Sequence, residues 1–179
     1  SGAPLKIGGY EIHDSHNFGA SLNVPEALIH SSNIVTAQVA DQLGGPRLKA
    51  VMESLGMNAR PQIKLPAKGF PLWPRGEKGQ WARITTMTVS YGHGLAVTPL
   101  HLASAYAALV NGGIWRPATL HKLAPNQIPE GHRVFKASTS ARMRQLLRMI
   151  VVDGTGKKAD AAGYRVGGKT GSAEKPGAG

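Results

Sequence analysis

The sequence predicts an α+β fold in which helices pack on an antiparallel sheet. Helix signals cluster in the first two thirds of the chain and strand signals toward its end. Hydrophobic residues make up 41% of the 179 and charged residues only 17%, which excludes a disordered tail or a coiled coil. The length suits one domain, and no internal repeat or low-complexity tract divides it.

Residues 5–7 and 10–12 read as a hairpin bracketing Gly8-Gly9, in a stretch otherwise punctuated by Pro4, Asp14, Asn17 and Gly19. Asn23 is an N-cap with Pro25 inside the first helical turn. Two helices follow, 25–30 and 33–43, separated by Ser31-Ser32-Asn33, three residues that prefer caps and turns. Gly44-Gly45 stops the second, and Pro46 opens a third that runs to Leu55. Residues 58–84 hold seven prolines and glycines, so a long connection is expected, and such loops are more often functional than accidental. Thr98 caps the next helix, Pro99 sits in its first turn, and Asn111-Gly112-Gly113 ends it. Residues 114–121 and 132–136 have strand character, 139–152 is a helix capped by Ser138 or Thr139, and 164–175 is a last strand that becomes glycine-rich.

Composition narrows the function classes. With no cysteine there is no disulfide scaffold and no thiolate metal site. His13 and His16 share a loop with Asp14, but no third ligand stands at helical spacing, so no metal is expected. The longest apolar run lies within 102–110 and is broken by Ser104, well short of the about 20 residues of a spanning helix. Net charge is +11, and residues 116–179 hold 12 basic against 4 acidic side chains. Such a stretch attracts phosphate, anionic lipid, nucleic acid or a carboxylate-ended substrate alike, or is simply a solvated surface.

Two motifs compete for one lysine. Gly163 through Gly168-Lys169-Thr170 matches G-x-x-x-x-G-K-T, the phosphate-cradling loop of nucleotide hydrolases. That loop requires a buried strand before its first glycine and a helix starting at the lysine. Residues 156–162 are too polar for the strand, and the glycines and proline after Thr170 oppose the helix. The second pattern is Lys169-Thr170-Gly171, standing 136 positions after the Asn of Ser31-x-Asn33. Ser-x-Asn and Lys-Thr-Gly are two of the three signatures of the serine acyltransferases that react with penicillin. Each triplet is common by itself, and Ser31-Ser32-Asn33 is also readable as a plain helix cap.

Longer stretches carry a family resemblance. The segment before Val24-Pro25-Glu26-Ala27-Leu28 and the Ser31-Ser32-Asn33 junction, the run Ser90-Tyr91-Gly92-His93-Gly94-Leu95-Ala96-Val97-Thr98-Pro99-Leu100, and Gly154-Thr155-Gly156-Lys157-Lys158 leading to Gly167-Gly168-Lys169-Thr170-Gly171-Ser172 all resemble the transpeptidase domain of class B penicillin-binding proteins. The resemblance spans the whole chain and is nearest to the septal, penicillin-binding-protein-3 type. It implies a penicillin-binding-protein/β-lactamase-like fold and peptidoglycan D,D-transpeptidation by serine acyl transfer at stem peptides ending in D-Ala-D-Ala, with β-lactams as mimics of that end. It also implies a periplasmic location at the bacterial inner membrane, an N-terminal anchor, and divisome partners. No cofactor, metal or nucleic acid is implied. A β-lactam-sensing domain of the same fold would share the acylation step and is the alternative; the P-loop reading is the distant one.

Carried over residue by residue, the resemblance makes Ser31 a proton relay toward the leaving nitrogen and sets the Asn33 amide against substrate backbone and the catalytic lysine. Lys169 supplies positive charge near the substrate carboxylate and Ser31, Thr170 gives that carboxylate a hydroxyl, and Gly171 admits the substrate strand. Ser172 offers its backbone N–H to an oxyanion hole. The third signature, Ser-x-x-Lys, should precede Ser31 by several dozen residues. The only match is Ser172-Ala173-Glu174-Lys175. Alternation along a strand would turn Ser172 and Lys175 to opposite faces, so it is not the nucleophile. The expectation is therefore that residues 1–179 are the C-terminal part of one transpeptidase domain, incomplete at both ends, with the nucleophile absent from this chain.

Overall fold

The computed structural model describes residues 2–66 and 68–173. Among them the order of elements is β1 (Leu5–Ile7), β2 (Tyr10–Ile12), α1 (Val24–His30), α2 (Asn33–Leu43), α3 (Gly45–Ser54), α4 (Arg83–Ser90), α5 (Pro99–Val110), β3 (Ile114–Trp115), β4 (His132–Arg133) and α6 (Ala137–Val152). Residues divide into two compact units: a first of 1–44, 82–94 and 145–179, and a second of 45–81 and 95–144. No described helix is long and apolar enough to cross a membrane.

In the first unit β1 and β2 form the expected antiparallel hairpin, with Leu5 opposite Ile12 and Ile7 opposite Tyr10. Alternation along the strands puts Leu5, Ile7 and Ile12 against Ile34 and Ala37 of α2 and Met87 of α4, and this cluster is the unit's core. Ile34, Ala37 and Ala40 are buried at helical spacing, and the two alanines let the neighbouring elements come close. Helix α4 is not foreseen in the sequence, because Ile84, Thr85, Thr86, Thr88 and Val89 are β-branched and favour strand. Packing decides instead: Thr86, Met87 and Val89 are buried. Hydroxyls satisfy part of the backbone, with Thr86 Oγ1 donating to Ala82 O at 3.3 Å and Ser90 Oγ to Met87 O at 2.6 Å.

The second unit is built around Leu55, Ala105 and Ala108, with Met57, Trp115, Val134 and Phe135 packed on them. Thr98 caps α5 as expected, and His101 closes the cap: its Nδ1 takes the Thr98 N–H at 3.1 Å and its Nε2 lies 2.6 Å from Ala59 O. The long connection is ordered by the Trp73 and Trp81 rings, tilted against each other with centroids 5.3 Å apart, and by Trp81 Nε1 donating to Pro74 O at 2.9 Å. Buried Ser140 joins α6 to the end of α5, donating to Leu109 O at 2.6 Å and accepting from Gly112 N at 3.0 Å.

The expected single sheet is replaced by two two-stranded antiparallel sheets among the described residues. The strands expected over 114–121 and 132–136 shrink to two residues each. Pro117 has no N–H to continue the ladder, and Val134 N and Phe135 N both turn to Gly113 O, at 2.8 and 3.1 Å, as in a bulge. Helix α6 begins at Ala137, so the expected caps Ser138 and Thr139 lie inside it. No strand forms over the described part of 164–175. Its backbone groups bind α6 instead, with Gly168 N donating to Leu147 O at 3.1 Å and Arg148 Nη1 to Val166 O at 2.9 Å, and no strand runs alongside. Glu174 and Lys175, the end of the Ser172–Lys175 match, lie outside the described residues.

Candidate active site

Helix α1 starts at a capping box, in which Asn23 Oδ1 accepts from Glu26 N at 2.8 Å and Glu26 Oε2 from Asn23 N at 2.9 Å. It ends with Ser31 in the left-handed region at φ 60°, ψ 45°, while Ser32 N reaches back to Ala27 O at 2.8 Å. Glycine is the usual residue at that position of a helix end, since a side chain there costs about 1–2 kcal/mol. The chain keeps a serine, and the left-handed turn aims its hydroxyl outward. Ser32, 1% exposed, then caps α2 by accepting from Val35 N at 3.2 Å.

The Ser31 hydroxyl meets Lys169. Lys169 Nζ donates to Ser31 Oγ at 2.6 Å and to Thr170 O at 2.8 Å, joining residues 138 positions apart. Partial burial holds the Lys169 ammonium below the ordinary lysine range. The lysine is placed from three sides. Gly167 lies against Leu147 and Arg148 of α6, where a Cβ would come within 3.2 Å of the helix backbone. The Arg148 guanidinium holds Val166 O and also Asp160 Oδ1 at 2.7 Å, and keeps the Asp160 carboxyl below the usual carboxylate range. Thr155 Oγ1 and Thr170 Oγ1 are 2.7 Å apart, while Thr155 N donates to Ile29 O at 3.3 Å. Gly154 makes that approach possible: a Cβ on it would stand 2.5 Å from Ile29 O.

Asn33 is the first residue of α2, and its amide Nδ2 donates to His13 O at 3.2 Å. The amide is thus tied to the β2–α1 loop. Thr170, Gly171 and Ser172 are exposed, and Gly171 has open space where a Cβ would point. Ser90 is the last residue of α4. Around Gly163 to Thr170 the described chain has neither the strand nor the helix that a nucleotide loop needs. Three residues of the network escape sequence reasoning: Asp14, Thr155 and Arg148. Thr155 lies in a family-like stretch and Asp14 in the loop with His13 and His16, but nothing local shows what they bond, because their side-chain partners and that of Arg148 lie 12 to 20 positions away.

The structure thus brings together a serine hydroxyl, a partly buried lysine bonded to it, and a threonine and an open glycine next in the chain. The family described as the penicillin binding protein transpeptidase domain matches residues 1–179. The chain is 45% identical over 175 residues to the probable peptidoglycan D,D-transpeptidase FtsI of Caulobacter vibrioides, covering 96% of this chain and 29% of that protein. To peptidoglycan D,D-transpeptidase FtsI of Escherichia coli K12 it is 33% identical, covering 97% and 29%. The apo transpeptidase domain of Burkholderia pseudomallei penicillin-binding protein 3 superposes with a TM-score of 0.89 at 32% identity, over 98% of this chain and 53% of that one. The chain belongs to the penicillin-binding protein transpeptidase family and has its α+β fold. It spans under a third of the length of those two curated relatives.

Proposed function

We propose that this chain is the substrate-binding side of a peptidoglycan D,D-transpeptidase of the septal type, acting at the periplasmic face of the inner membrane with division partners and acylated by β-lactams. The observation that carries the reading is the 2.6 Å bond between Lys169 Nζ and Ser31 Oγ. In the proposed reaction a serine outside these 179 residues attacks the penultimate D-Ala carbonyl. Its Oγ–C bond forms, the C–N bond to the last D-Ala breaks, and the departing nitrogen takes a proton relayed through Ser31. An amine of a neighbouring stem peptide then attacks the ester, and the serine leaves with a proton. Lys169 provides charge beside the substrate carboxylate, Thr170 a hydroxyl for it, Gly171 room for the extended peptide, Asn33 an amide for its backbone, and the Ser172 N–H one oxyanion donor.

Fluorescent penicillin and mass spectrometry test this directly. Residues 1–179 alone should keep their unmodified mass, because removing a nucleophile costs several orders of magnitude in rate. A longer chain of the same protein should label at one serine upstream of Ser1. A penicilloyl adduct on Ser31 or Ser172 would overturn the assignment of roles.

A further inference from the structure

The loop between β2 and α1 reaches the same serine pair from the other side. Asp14 Oδ2 accepts from Ser32 Oγ at 2.7 Å and its Oδ1 from Ile34 N at 3.0 Å, while the carbonyl of the preceding His13 accepts the Asn33 amide. Ser32 is otherwise fully committed: its Oγ accepts from Val35 N and its carbonyl from Thr36 Oγ1 at 2.7 Å. One carboxylate thus holds the middle residue of Ser31-Ser32-Asn33 and the first turn of α2, at the helix end where negative charge is favoured. Ser31, the residue just before, sits in a backbone conformation that a serine does not choose by itself.

From this geometry we infer that Asp14 is a positioning residue of the acyl-transfer site. It fixes Ser32, and through Ser32 the turn that delivers the Ser31 hydroxyl to Lys169. The loop and the motif are 18 positions apart, so only folding joins them. Among the described residues Asp14 makes no hydrogen bond or ion pair to Lys169 or Ser31, and it takes no proton in the reaction. It sets where Ser31 Oγ stands, and a displacement near 1 Å at such a group costs about 100-fold in rate. The inference rests on the acyl-transfer reading for its kinetic consequence, and on the hydrogen bonds alone for its structural one.

The experiment uses the full-length protein, with Asp14→Asn, Asp14→Ala, Ser32→Ala and the double variant. Asn keeps one acceptor and presents an N–H where the second stood, so it should fold and lose about 10-fold in the acylation rate constant for fluorescent penicillin. Asp14→Ala should lose about 100-fold, with the dissociation constant of the non-covalent complex nearly unchanged. Ser32→Ala should cost less when added to Asp14→Ala than in the parent, because the bond the two share is already gone and only the cap on Val35 N is left to lose. A crystal structure of Asp14→Asn is the second arm and should show Ser31 Oγ more than about 3.5 Å from Lys169 Nζ, beyond hydrogen-bond reach. Wild-type acylation rates, or a Ser31–Lys169 bond left intact, would overturn the role of Asp14. If the parent protein is not labelled at all, the acyl-transfer reading falls, and the crystallographic arm still decides Asp14.

Discussion

The second unit carries 13 basic and 3 acidic side chains, whereas the first carries 8 and 7, so +10 of the net +11 belongs to the unit that lacks Ser31 and Lys169. Their polar bonding differs in balance: Arg148 and Lys169 of the first unit also reach backbone carbonyls, and Lys49 of the second pairs with Glu53 at 3.8 Å, but the close carboxylate bonds stand mainly in the first. In the first unit carboxylates meet arginines and hydroxyls: Arg83 grips Asp41 through two bonds of 2.8 and 2.7 Å, Arg148 holds Asp160, and Asp14 holds Ser32. The Asp41 carboxyl is held below the usual range by the Arg83 guanidinium. In the second unit cations turn to backbone carbonyls, as Lys49 does to Gly79 O, Arg116 to Pro129 O and Arg133 to Gly112 O. The contrast teaches that the lysine of the candidate site owes its perturbation to local desolvation and not to the chain's overall charge.

Five substitutions or titrations would break or sharpen that comparison. The largest effect is expected from Lys169→Ala in the full-length protein. Its acylation by penicillin should fall by about 100- to 1,000-fold, as for loss of a preorganised transition-state donor, with the fold retained. Stopped-flow labelling at an unchanged rate would remove Lys169 from the mechanism.

Next come two backbone-level substitutions, one in each unit. Gly154→Ala drives a methyl toward Ile29 O and Ile150 O, at 2.5 and 2.9 Å, and should cost about 1–3 kcal/mol by overpacking. Because Thr155 next to it bonds both Ile29 O and Thr170, acylation should fall too. Ser140→Ala leaves the Gly112 N–H and Leu109 carbonyl without their buried partner and should cost a similar amount, about 1–3 kcal/mol. Its acylation rate at a temperature where the fold is intact should match the parent. Urea titrations paired with labelling rates check both, and equal losses of acylation would erase the distinction between the units.

A smaller effect concerns pH. Burial lowers the folded Lys169 pKa from the ordinary 10.5, so between the lowered value and 10.5 the unfolded chain holds a proton that the folded chain has released. Stability should therefore rise with pH through that window, and the contribution is lost as pH falls through the folded pKa. Lys169→Met should flatten this slope in urea unfolding from neutral pH to 10.5. An identical slope would show that Lys169 is not desolvated.

The smallest effect is expected from Lys64→Glu with Lys68→Glu, in the long connection of the second unit. Stability should stay within about 0.5 kcal/mol and acylation should not change, while retention on a polyanion column falls. A change in acylation rate would mean that charge in the second unit acts on the site.

Local chemistry was legible along the chain. Asn23 with Pro25, Thr98 with Pro99, and Gly8-Gly9 each announced their element, because caps and tight turns bond within a few residues. The paired motifs Ser31-x-Asn33 and Lys169-Thr170-Gly171 were legible as well, since each is a contiguous string of chemically distinctive residues. Helix α4 was not, because burial of Met87 and Val89 overrides the strand preference of its threonines and valine. The strand expected beyond Tyr164 did not form in the described residues, since a strand is defined by a partner and these groups found α6.

By itself the sequence determined where the capped helices α1 and α5 begin, which residues carry reactive groups, and how much charge the molecule bears. Only the tertiary structure decided which of those groups meet. It brought Lys169 onto Ser31, Thr155 onto Thr170 and Asp14 onto Ser32, and it set +10 of the net +11 in one unit when the sequence showed the charge weighted toward the later part of the chain. The physical reason is range. Caps and turns are settled by bonds spanning three or four residues, whereas a hydrogen bond across 138 positions exists only once cores around Met87 and Ile150 have packed.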